Sequence, residues 1–94
     1  MTVPARFTST PSNKIINETQ TVTFLCSATG NPMPNITWLK DGNILGTGET
    51  LSFVAHRNQS GHYVCSADNA LNMTVNSSAY LDVQCMYDSF YSLT

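Results

Sequence analysis

Gln59-Ser60-Gly61-His62-Tyr63-Val64-Cys65 is the stretch whose reading decides the fold. Side chains on a β-strand point to opposite faces with a period of two, so Gly61, Tyr63 and Cys65 share one face. His62 and Val64 occupy the other. Upstream, Val22, Phe24, Cys26 and Ala28 line one side of a run that begins at Thr21, with Thr21, Thr23, Leu25 and Ser27 opposite. The same alternation returns at Ile36 and Trp38, at Leu51 and Phe53, at Tyr63, Cys65 and Ala67, and finally at Ala79, Leu81 and Val83.

Turn chemistry separates these runs. Gly30-Asn31-Pro32-Met33-Pro34 ends the second, and Lys40-Asp41-Gly42-Asn43 closes the third with residues that tolerate positive φ. Pro11 cannot donate to a central ladder, so Pro4 to Thr10 reads as an edge strand with a break. Ile44 and Leu45 read as a short connecting strand, and Asp68 to Asn76 as a polar reversal. No stretch has an apolar period of 3.6, so no helix of consequence is expected. Seven or eight short strands joined by turns predict an all-β chain of two antiparallel sheets packed face to face. Cys26 and Cys65 fall on inward faces of different strands, where an inter-sheet disulfide belongs.

Composition narrows the function. Ninety-four residues support one core and hence one domain. The net charge is −2, and Arg6, Lys14, Lys40 and Arg57 are scattered singly. Nucleic-acid binding needs a concentrated basic surface, so it is not expected. No apolar run is long enough to cross a bilayer, which leaves membrane attachment to a segment outside this stretch. The start at Met1 lacks the basic and apolar regions of a secretory signal and reads as the head of a piece cut from a longer chain. Three cysteines, Cys26, Cys65 and Cys85, permit one internal disulfide and leave one thiol over; none has zinc-ribbon or thioredoxin spacing. Asn17, Asn35, Asn58, Asn72 and Asn76 fit the N-glycosylation acceptor Asn-x-Ser/Thr. Chance in this Asn-, Ser- and Thr-rich chain accounts for about two, and the excess points to the secretory pathway.

These residues together resemble the immunoglobulin superfamily, and within it the I-set group. Cys26, twelve residues before Trp38, is similar to the strand B cysteine followed by the strand C tryptophan, Cys65 to the strand F cysteine, and Tyr63 to the tyrosine of the corner motif. The resemblance implies an Ig-like sandwich over residues 1–84 with one disulfide, Cys26 to Cys65, and Trp38 and Tyr63 in the core. Residues 85–94 are expected to be a tail or the start of a linker. At Gln59 the family usually has Asp, paired with an Arg across the end of the sandwich. Gln cannot form that ion pair, so a slightly looser corner is expected with the fold intact.

Catalysis requires convergent titratable groups, and none converge in this pattern. His62 points outward and His56 lies in a turn, with no carboxylate pair or reactive serine beside either. No catalytic residue, metal site or cofactor is expected. Binding has two kinds of surface available: the loops at the ends and the outward face of one sheet. Asn35, Asn72 and Asn76 are expected at one end and Asn17 and Asn58 at the other, so that glycans cover the tips and leave the faces open. Leu39, Val64 and Tyr80 are the expected apolar stripe for a homophilic or heterophilic protein partner. Cys85 is expected to be either a thiol whose partner lies elsewhere or the site of an interchain disulfide. The resemblance thus implies an extracellular or cell-surface recognition module of an adhesion molecule or receptor. A structural repeat of an intracellular filament protein and an accessory domain of a secreted enzyme are the alternatives.

Overall fold

The structure, a computed structural model, describes residues 2–69 and 74–84. Among these, nine strands and one 3₁₀ turn at Arg57–Gln59 form two facing layers. The first layer contains β1 (Val3–Ser9), β3 (Thr21–Leu25), β4 (Ser27–Asn31) and β7 (Thr50–Val54). The second has the order β2-β9-β8-β5-β6, with β2 Lys14–Asn17, β5 Asn35–Lys40, β6 Asn43–Thr47, β8 Gly61–Asp68 and β9 Thr74–Gln84.

Local chemistry explains the irregular points. β3 and β4 are halves of one extended run interrupted at Cys26, whose N–H donates to the carbonyl of Glu49 at 2.9 Å. β3 pairs with β7 and β4 with β1, so the run joins both pairs into one layer. After β1 the chain passes buried Pro11 and enters the other sheet, where β2 lies parallel to the end of β9. That parallel pair is an exception to the otherwise antiparallel ladders. Asp41 and Gly42, at φ 53 and 81, make the two-residue turn that pairs Lys40 with Asn43.

Only Gly48 and Glu49 separate β6 in one layer from β7 in the other. Gly48 takes φ 105, a conformation that costs a residue without a Cβ little. Its N–H donates to Ile36 O at 3.0 Å, and its carbonyl accepts the Trp38 Nε1–H at 2.8 Å. With Glu49 O held by Cys26, these bonds fasten the crossover to both sheets.

The core lies between the layers. Val22 and Phe24 from β3, Ile36 and Trp38 from β5, Tyr63, Cys65 and Ala67 from β8, and Ala79, Leu81 and Val83 from β9 are buried. Each follows the period-two pattern of its strand. Phe24 packs on Trp38 and Tyr63 with ring centroids 6.1 and 5.4 Å away, and Phe53 stacks on Tyr63 at 5.5 Å. Full burial of each large apolar side chain is worth about 1.5–3 kcal/mol. The Cys26–Cys65 disulfide crosses this core, with Cα atoms 6.5 Å apart.

One expectation is corrected. The ladder continues through part of the polar reversal read over Asp68 to Asn76: Asp68 pairs with Thr74, Ala67 with Val75 and Ser66 with Asn76. Val75 packs against the core and draws this segment into the sheet, while the polar residues beside it face water. Side-chain polarity on one face does not unpair a backbone.

Candidate functional site

The outward face of the five-stranded sheet carries the candidate binding residues Leu39, Val64 and Tyr80. Trp38 points into the core, so Leu39 points out; Tyr63 and Cys65 point in, so His62, Val64 and Ser66 point out. Pairing sets these residues in rows across the strands. Leu39 lies opposite Val64 on one side and Ile44 on the other, and Val64 lies opposite Ser78. The row therefore runs Ile44, Leu39, Val64, Ser78 over β6, β5, β8 and β9.

Leu39 and Val64 are direct neighbours, half-exposed, as the stripe requires. Tyr80 is in the next row, opposite His62, with the rings in T-shaped contact at 4.9 Å. Ile44, 70% exposed, is a third apolar member of the row, and Tyr80 stays exposed on the same face one row away. The signal for Ile44 was present in the sequence: a two-residue Asp41-Gly42 turn pairs Lys40 with Asn43 and so sets Leu39 opposite Ile44.

Four of the five sequons fall among the described residues, and Asn17, Asn35, Asn58 and Asn76 are all exposed. Asn35 opens β5, Asn17 closes β2, and Asn58 sits in the 3₁₀ turn. Asn76 departs from the expected arrangement. It pairs with Ser66 inside β9 and faces outward, one row from Val64, so it stands on the sheet face and not at a tip. Asn72 and Cys85 lie outside the described residues.

The corner around Tyr63 is closed by neutral groups. Tyr63 Oη donates to Gln59 O at 2.5 Å, and Gln59 Oε1 accepts the His56 N–H at 2.7 Å. Burial pushes the Tyr63 phenol above its ordinary pKa, and the negative charge of Asp41 adds to the shift. An ion pair still spans this end, between Arg57 Nε and Glu18 Oε2 at 3.3 Å. Exposed pairs of this kind contribute about 0–1 kcal/mol.

A groove of about 740 Å³, lined by Met33, Pro34, Ile36, Thr47 and Gly48 among others, has Glu49 as the one titratable side chain among its described lining residues. No cluster of three or more His, Cys, Asp or Glu that could hold a metal occurs among the described residues.

Comparison with known proteins agrees with this architecture. Residues 4–69 match the family model described as immunoglobulin domain. Human Roundabout homolog 2 is 32% identical over 93% of this chain, and the human peroxidasin homolog is 40% identical over 70% of it. The chain spans 8% and 5% of the lengths of these two relatives. A chain from the crystal structure of Dpr11 IG1 bound to DIP-gamma IG+IG2 superposes with a TM-score of 0.83 at 26% identity, covering 89% of this chain and 49% of that one. Family match, relatives, disulfide-bridged two-layer core and tyrosine corner together place the chain in the immunoglobulin-domain family.

Proposed function

We propose that this domain is a non-catalytic extracellular recognition module that binds a protein partner through the outward face of its five-stranded sheet. The row Ile44, Leu39, Val64 carries the proposal. Three apolar side chains on adjacent strands form one continuous water-facing strip, where an exposed sheet face ordinarily alternates toward polar residues. The internal disulfide and the exposed sequons support an oxidising, secretory compartment. A structurally similar Ig domain solved in a complex with another Ig protein supports a protein as the partner class.

The test places a carboxylate in the strip. Val64→Glu and Ile44→Glu are compared with Val54→Glu, which lies on the exposed side of the other sheet. Sedimentation of the purified chain reads self-association, and a panel of Ig-domain ectodomains reads binding to other partners. Both strip variants are expected to lose at least tenfold in affinity with melting within a few degrees of the parent, while Val54→Glu binds normally. Unchanged binding in both strip variants removes the face from consideration.

A further inference from the structure

We propose that Asn76 is an N-glycosylation site whose glycan shields the Ile44–Leu39–Val64 row. The proposal rests on the reading of that row as a contact surface and adds a device that limits access to it. Asn76, Ser77 and Ser78 form the acceptor triplet, and Asn76 is exposed on β9. Asn-x-Ser/Thr is the acceptor that the secretory pathway's glycosylation machinery recognises, and the attached sugar is bulky and strongly hydrated.

Register sets the geometry. Asn76 lies opposite Ser66, and Ser78, two residues on, lies opposite Val64. Pleated-sheet spacings then put the Cα of Asn76 roughly 8 Å from that of Val64 and roughly 12 Å from that of Leu39. All three side chains leave the same face. A branched glycan rooted there overlies the strip, whereas sugars on Asn17, Asn35 and Asn58 stem from the ends of strands or the 3₁₀ turn. The hydroxyl residue that completes the acceptor, Ser78, is itself the fourth member of the row. One residue therefore belongs both to the modification signal and to the surface that the modification covers.

The experiment uses the whole chain secreted from a mammalian host, compared with Ser78→Ala, which removes only this acceptor, and with Asn76→Gln as a second route to the same end. Glycopeptide mass spectrometry reads occupancy. An inert gadolinium chelate reads exposure of the Leu39, Val64 and Ile44 methyl groups by relaxation enhancement, with Val54 on the other sheet as reference. Occupancy at Asn76, with enhancement at Val64 and Leu39 at least twofold lower than in either variant and Val54 unchanged, is the expected result. An unoccupied Asn76, or an occupied one with unprotected methyls, overturns the proposal. Partner binding is measured on the same samples: protection with no gain of binding in the unglycosylated variants supports the glycan's placement and counts against the contact-face reading.

Discussion

Reducing the Cys26–Cys65 disulfide is expected to lower the melting temperature of this domain by about 15–30 °C. The bridge spans 39 positions in sequence. Loop-closure entropy for a ring of about 40 residues gives roughly 4 kcal/mol at room temperature. Domains of this size lose about 4–8 °C of melting temperature per kcal/mol, which yields the range above. Against a typical total of about 5–15 kcal/mol, the bridge is a large fraction of what holds the sheets together. Both cysteines are buried and Cys65 pairs directly with Trp38, so the reduced thiols stay packed and the principal change is in the unfolded chain. The assay is thermal circular dichroism in a Cys85→Ser background with and without a phosphine reductant, with alkylation and mass measurement after unfolding to confirm two free thiols. A fall of less than about 5 °C with both thiols demonstrably reduced refutes the loop-entropy reasoning.

Tyr63→Phe removes the bond to Gln59 O and should cost about 0.5–1.5 kcal/mol, read from denaturant melts at neutral pH. Since the folded phenol holds its proton above the ordinary pKa of about 10, its contribution is fully present below that pH and is lost as pH rises through the folded value. The parent should therefore lose stability faster than Tyr63→Phe above pH 10, and parallel curves would contradict this. Gly30→Ala should cost about 1–3 kcal/mol, because the added Cβ meets Asn69 Nδ2 at 2.9 Å and the carbonyls of Val3 and Pro4 at 3.0 and 3.2 Å. Asn69 ties β1 and the Pro32 turn together through Val3 O and Pro32 O, so amide exchange in β1 should accelerate in that variant more than in β8.

Period-two alternation determined the inward sets of the main strands, because the face a side chain takes is fixed by its own backbone. Val22 with Phe24, Ile36 with Trp38, and Tyr63 with Cys65 could be sorted inward without knowing any strand's neighbour. The turn at Asp41-Gly42 was likewise legible, since positive φ is a local demand. What local pattern does not carry is register. The pairing of Ser66 with Asn76 moved a sequon from a loop tip to a sheet face, and the pairing of Val64 with Ser78 set Tyr80 in the row beside Val64, opposite His62.

The crossover at Gly48-Glu49 was also invisible, because its three hydrogen bonds join residues from 10 to 23 positions apart that only the packed sheets bring together. Gln59 shows the same division. By itself the sequence determined that the usual acid is missing from Gln59-Ser60-Gly61-His62-Tyr63-Val64-Cys65. Only the tertiary structure decided what stands in its place: a hydrogen bond that the Gln59 side-chain oxygen accepts from the His56 N–H, and an ion pair carried by Arg57 and Glu18 instead. Which side of a strand a residue faces is a property of the strand; which residue stands beside it depends on how distant strands are aligned.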